Sequence, residues 1–156
     1  MTSLVLVRHA KSDWGSPALD DHDRPLNGRG MRDAPAMARR LLDAGVQPQG
    51  ILSSTALRAA TTAGFFGDAF ELPVRLDAQL YGAPASLLLR AAAQSPWQRV
   101  VVVAHDPGMS VLAGRLSGGG IAHMPTCAVA TFHWDADDWD VATAVDPDRW
   151  TFDTPH

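Results

Sequence analysis

Arg8 and His9 stand directly after the apolar run Leu4-Val5-Leu6-Val7, and a second run, Val100-Val101-Val102-Val103-Ala104, leads in the same way to His105. A short run of aliphatic and β-branched residues bounded by polar ones reads as a strand buried on both faces, the usual state in a parallel sheet. In open α/β sheets the ligand crevice lies outside the carboxyl ends of the strands, so residues that directly follow several strands converge there. A third such unit is Gly50-Ile51-Leu52-Ser53, followed by Ser54-Thr55 and, one turn into the next helix, Arg58. If the three strands are parallel, two guanidinium groups, two imidazoles, the hydroxyl of Ser54 and helix amino termini meet at one edge. That set suits a dianionic phosphoryl group, because arginine's planar fork holds two of its oxygens at once.

The same residues suggest a reaction. One imidazole attacks phosphorus and the other donates to the phosphoryl oxygens, giving a phosphohistidine that water later cleaves. His9 is assigned as the nucleophile. It must stay neutral, and the neighbouring charges of Arg8, Arg58 and a protonated His105 would hold its pKa down.

The elements that must position these groups alternate along the chain. Residues 10 to 26 are too rich in turn formers for regular structure and should overhang the end of the first strand. Asn27 can cap a helix whose apolar residues Met31, Ala34, Met37, Ala38 and Leu41 follow helical spacing, with Pro35 as an expected kink and Gly45 as its terminator. A helix over 55–66, a strand over 73–76, a helix over 84–94 and a helix from Pro107 to Leu116 complete the alternation. Ala128–Trp134 and Trp139–Val145 read as paired strands joined by an acidic turn, with an irregular tail after Asp146. The expectation is one α/β domain over residues 1–156, a three-layer α/β/α sandwich about a mainly parallel sheet.

Composition limits the partners. With 156 residues, 46% of them hydrophobic, the chain can bury a real core. A net charge of -4 offers no general basic surface for a nucleic-acid backbone. No segment reaches the length of an apolar membrane span, the first strand begins without a cleavable leader, and the lone Cys127 fits a reducing compartment, so a cytoplasmic protein is expected. A cysteine-phosphatase loop would need arginine six residues after the cysteine, and that position holds His133.

Taken together, Leu4-Val5-Leu6-Val7-Arg8-His9-Ala10-Lys11, Arg24-Pro25-Leu26-Asn27, Ser53-Ser54-x-Ala56-x-Arg58-Ala59-x-x-Thr62 and His105-x-Pro107-Gly108 resemble the histidine phosphatase superfamily, with its phosphoglycerate mutase-like fold, and within it the small SixA-type phosphohistidine phosphatases. The resemblance implies His9 as phosphate acceptor, Arg8, Arg58 and His105 as the phosphoryl pocket, no cofactor and a metal-independent mechanism. Many members of that superfamily carry a glutamate after the third strand as proton donor. Here Asp77 and Gln79 occupy that neighbourhood, and the only glutamate, Glu71, precedes the strand. Protein phosphohistidine is then the favoured substrate, since a P–N bond needs less acid assistance than an alkyl ester. A small phosphate ester is the alternative, and Asp106 or Asp13 could then serve as acid. The simpler expectations are that Asp106 caps the helix that follows it and that Asp13 is a solvated loop carboxylate. Two further readings compete: a metallohydrolase built on Asp20-Asp21-His22-Asp23, and a catalytically idle domain that binds phosphorylated ligands.

Overall fold

Strand β1 (Thr2–Arg8) lies near the middle of a six-stranded sheet, and its side chains from Leu4 to Val7 are wholly buried in the computed structural model, which describes residues 1–156. The other elements, in chain order, are α1 (Gly28–Asp43), β2 (Gly50–Ser53), α2 (Leu57–Phe70), β3 (Val74–Leu76), α3 (Ala85–Gln94), β4 (Arg99–Ala104), α4 (Gly108–Leu116), β5 (Val129–Trp134), α5 (Trp139–Ala142) and β6 (Arg149–Asp153). The sheet order is β3-β2-β4-β1-β5-β6. Pairing is parallel from β3 through β1 and antiparallel at β1–β5 and β5–β6, so the sheet is mixed, with the expected parallel part at its centre.

Period-two alternation along the central strands sorts the core into two layers. Val5, Val7, Val101 and Val103 pack with Ala34, Met37 and Ala38 of α1 and Ala59, Ala63 and Phe66 of α2. Leu4, Leu6, Val100 and Val102 pack on the opposite face with Leu88 of α3, Met109 and Leu112 of α4 and Trp139 of α5. Helices on both faces give the three layers.

The register does the positioning. Arg8 pairs with Ala104 and Val7 with Val103, while Ser53 also pairs with Val103. His9 N–H continues the ladder to Ala104 O at 3.1 Å, and Ser54 N–H reaches Val103 O at 3.0 Å. The residues that follow β1, β2 and β4 therefore leave the sheet side by side.

Asn27 caps α1, accepting from Gly30 N–H at 2.9 Å, and α1 keeps Pro35 within its span. Two expectations fail at the far end of the chain. The 139–145 segment is not a strand, because Asp138 accepts from Asp140 N–H and nucleates the short α5 instead. Trp139 is drawn into the core, its ring 6.0 Å from that of Trp134 and its Nε1–H donating to Trp97 O at 2.7 Å. The partner of β5 is β6, in the tail expected to be irregular. Its residues are solvent-exposed, so burial leaves no pattern to read.

Gly108 opens α4 where a β-carbon would lie 2.2 Å from Ala83 O. This close approach seats the loop carrying Tyr81 beside His105, with ring centroids 5.5 Å apart. Gly108→Ala should therefore destabilise the protein by about 1–3 kcal/mol, since backbone rather than a flexible side chain must move. Urea unfolding measures this; a variant as stable as the parent would refute the close contact.

Candidate active site

Beyond the carboxyl ends of β1, β2 and β4 lies a hollow of about 280 Å³, lined by Arg8, His9, Lys11, Ser12, Trp14, Asp21, Arg24, Arg58, His105, Asp106 and Thr126. The His9 and His105 rings face each other across 5.1 Å, tilted by 54°. Arg8, His9, Arg58 and His105, anticipated from three separate strand ends, share this one cavity. Its four fixed cations, Arg8, Lys11, Arg24 and Arg58, outnumber its two carboxylates, Asp21 and Asp106, by two. With neutral imidazoles that excess matches the charge of a phosphoryl dianion.

The tautomer of His9 is set by a fixed neighbour. His9 Nδ1 lies 2.8 Å from Ala10 O, and a carbonyl can only accept, so the hydrogen sits on Nδ1 and the lone pair on Nε2. His105 Nε2 lies 2.8 Å from Ser54 Oγ, which already accepts from Ala56 N–H at 3.2 Å. The Ser54 hydroxyl hydrogen can then point at His105 Nε2, leaving the N–H of that ring on Nδ1. The expectation that Ser54 binds phosphate is thus corrected. Fully buried and absent from the lining of the hollow, its hydroxyl is spent on holding His105.

Arg8 Nε, Arg58 Nε and His105 Nδ1 are buried without hydrogen-bond partners. Orphaned buried polar nitrogens are rare because each forfeits its hydration, and three of them belong to side chains that line one cationic hollow. The scaffold behind them is rigid. Cys127, at φ 62°, directs its N–H to both Arg8 O (3.1 Å) and His9 O (3.0 Å), a left-handed conformation that L side chains adopt only under constraint. Thr62 Oγ1 accepts from Ala10 N–H at 3.0 Å and donates to Arg58 O at 2.7 Å, tying α2 to the end of β1. Gly30 allows the first turn of α1 to lie against Lys11, where a β-carbon would sit 2.2 Å from Lys11 O. The Cys127 thiol is pushed up to about 12 by burial, which leaves it protonated and inert.

The remaining acid candidates separate. Asp13 is exposed, accepts from Gly15 N–H in a local turn and does not line the hollow, so the possibility of an acid there is withdrawn. Asp106 lies one residue before Pro107, the N-cap of α4. It accepts from Ser110 N–H in the first turn of α4 at 3.0 Å, and it lines the hollow with Arg8 Nη1 at 3.5 Å and His123 Nδ1 at 3.6 Å. Asp77 and Gln79 line a different cavity, of about 290 Å³ between β3 and α3, with Arg75 and Arg90. The Asp20–Asp23 segment gathers no metal ligands: no group of three or more His, Cys, Asp or Glu side chains is arranged to hold an ion. Asp21 faces Arg58, Arg24 and Tyr81 instead. Asp21, Arg24 and Tyr81 as a connected group were missed from sequence. The one available signal was the three-residue offset of Asp21 from Arg24 in the loop.

A mixed α/β sheet with two buried histidines and two arginines at the carboxyl edge of its parallel strands is the phosphoglycerate mutase-like arrangement. The family profile of the histidine phosphatase superfamily (branch 1) matches residues 4–82. A chloroplastic Arabidopsis thaliana protein of uncharacterised function is 31% identical over 94% of this chain and 73% of its own length. Among solved structures, a protein assigned as the phosphohistidine phosphatase SixA of Agrobacterium tumefaciens superposes with a TM-score of 0.79 at 31% identity, covering 85% of this chain and 92% of that one. A mycobacterial glucosyl-3-phosphoglycerate phosphatase shares the fold at TM-score 0.62 and 22% identity, covering 98% and 97%. The chain belongs to the histidine phosphatase superfamily and is a phosphatase.

Both imidazoles are neutral at physiological pH. Burial lowers the His9 pKa to about 3, helped by His105, Arg58 and Arg8 against the opposing Ala10 bond. Burial, then Arg58, lowers that of His105 to about 4. Unfolded, both groups titrate near 6.5. Unfolding therefore takes up about two protons between pH 6.5 and 4, and stability falls as pH drops through that window, by at most about 1.4 kcal/mol per pH unit per histidine. Above pH 6.5 the two histidines contribute no slope. Urea titrations across this range should show the fall, and His9→Asn should remove one proton's share. A flat profile would mean that the folded protein holds these rings charged.

Proposed function

We propose that the protein hydrolyses protein phosphohistidine through a covalent intermediate on His9, as a single cytoplasmic domain that uses no metal or cofactor. The observation that carries this reading is the bare Nε2 of His9 in one hollow with Arg8, Arg58 and His105, each of which has a buried nitrogen without a hydrogen-bond partner. His9 Nε2 attacks phosphorus, the P–N bond of the substrate breaks, and its electron pair leaves on the substrate imidazole. Arg8, Arg58 and His105 take the three phosphoryl oxygens as charge shifts among them. Because Ala10 O holds the Nδ1 hydrogen of His9, the phosphorylated ring is already the imidazolium form. Water then attacks phosphorus, the P–N bond breaks with its electron pair returning to Nε2, and both hydrogens of the water leave with the product as dihydrogen phosphate.

No carboxyl is required for the first step when the departing imidazole carries a hydrogen on its far nitrogen, since it then leaves neutral. This agrees with Asp77 and Gln79 lying outside the hollow. The name of the Agrobacterium tumefaciens relative points the same way. Cys127, free and buried, suits a reducing compartment.

A second reading, a small phosphomonoester as substrate, has one specific observation behind it: Asp106 lies in the hollow near Arg8 and could protonate an alkoxide. The two separate in an Asp106→Asn variant, since Asn keeps an oxygen to accept from Ser110 N–H in the first turn of α4. Hydrolysis of a phosphohistidine peptide should stay within about threefold of the parent while any sugar-phosphate hydrolysis falls roughly a hundredfold or more. Faster hydrolysis of the ester by the parent would overturn the phosphohistidine assignment.

Acid-labile, base-stable phosphate should appear on His9 during turnover, captured by rapid quench and mass spectrometry, and be lost in His9→Ala. Arg8→Ala and Arg58→Ala should each lower kcat on the order of 10²–10³-fold. Vanadate should inhibit and chelators should not. Label on another residue, or inactivation by chelator, would replace this mechanism.

A further inference from the structure

Arg58 is gripped from one edge. Its Nη1 donates to Asp21 O at 2.6 Å and its Nη2 to Asp21 Oδ2 at 2.9 Å, while Nε is buried and unpartnered. The Asp21 carboxylate is fixed in turn. Tyr81 Oη donates to Oδ2 at 2.5 Å, and Arg24 Nε donates to Oδ1 at 3.1 Å. Arg24 is anchored through Nη1 to Ser12 Oγ at 2.7 Å and to Asp13 O at 3.3 Å. Tyr81 stands edge-on to His105. Asp21 thus gathers the first loop, α2 and the loop after β3 around one carboxylate.

We propose that Asp21 is a positioning residue for Arg58: it occupies the Nη edge of the guanidinium so that the Nε–H edge is presented to the phosphoryl group. The inference rests on the phosphatase reading above and adds to it a residue that touches no reacting atom. A free guanidinium offers five N–H donors and rotates among several ways of meeting a phosphate. Held by both terminal nitrogens it has one, and the rotational entropy is lost at folding rather than in the transition state. The Tyr81 hydrogen bond, followed by those from Arg58 and Arg24, holds the Asp21 carboxyl well below the usual carboxylate range, so it stays ionised and does not serve as proton donor. Its exposed side chain, only half covered, allows substitution without opening the core.

The test is vanadate binding by calorimetry, paired with kcat and KM on a phosphohistidine peptide, for Asp21→Ala, Asp21→Asn, Arg58→Ala and the double variant Asp21→Ala/Arg58→Ala. Asp21→Ala should weaken vanadate binding roughly ten- to a hundredfold, by analogy with removal of partners that orient metal ligands, and should lower kcat more than it raises KM. Asp21→Asn keeps one acceptor oxygen for Arg58 and should fall between parent and Ala. In the Arg58→Ala background, Asp21→Ala should change vanadate affinity less than about twofold, since a residue acting only through another has nothing left to act on. Losses that multiply in the double variant, or unchanged vanadate affinity in Asp21→Ala, would overturn the proposal. Should thermal melting show Asp21→Ala to be unfolded, the isosteric Asn variant alone and with Arg58→Ala gives the same comparison. Failure of the parent itself to bind vanadate would instead sink the phosphatase reading.

Discussion

Parallel pairing of β1 with β4 is the constraint on which the site depends. It sets Arg8 opposite Ala104, so the next residue on each strand is a histidine, and the two rings end 5.1 Å apart with no further adjustment. A slip of one residue would turn one imidazole to the other face of the sheet. What forbids the slip is the alternation of the valines and leucines: Val5, Val7, Val101 and Val103 belong to one layer of the core and their neighbours to the other. The two imidazoles are therefore positioned by ordinary apolar packing many residues wide.

Around that frame the site solves an electrostatic problem. Two imidazoles must stay neutral among arginines, and burial supplies most of what is needed, with the neighbouring cations pushing the same way. Each arginine has a carboxylate near it, Asp106 for Arg8 and Asp21 for Arg58, so the pocket is cationic enough to hold a dianion without two unpaired guanidinium groups repelling one another. The His9 tautomer is set by a group that cannot itself titrate, a backbone carbonyl, and the His105 ring is held by a serine hydroxyl. The supporting residues thus hold the two rings, while Arg8, His9 and His105 at the ends of β1 and β4 and Arg58 in the first turn of α2 line the hollow.

The central strands, the first three long helices and the four principal site residues were legible because each rests on a local pattern: an apolar run, a cap, or an offset of one helical turn. Other features rest on contacts between distant segments. Ser54 reads equally well as a phosphate ligand or a support, and only the proximity of His105 shows which. The Trp139 segment carries an alternation compatible with a strand, yet Asp138 and the Trp134 ring make it a helix. β6 is an exposed edge strand whose existence depends on β5 offering it an open ladder. Asp13 and Asp21 are both loop aspartates in a polar segment, and nothing local distinguishes the one that turns back on Gly15 from the one that meets Arg58 and Tyr81.

By itself the sequence determined which residues can do the chemistry and that they share a sheet edge, since strand periodicity and the residue after each strand are properties of short stretches. Tertiary structure alone decided which neighbours hold them: Ser54 behind His105, Asp21 and Tyr81 beside Arg58, Asp77 and Gln79 turned to another cavity. The reason is the range of the forces concerned. Backbone and hydrophobic patterning act between residues close in the chain, whereas a hydrogen bond between side chains 60 positions apart, such as that of Tyr81 with Asp21, exists only once the sheet has brought their loops together.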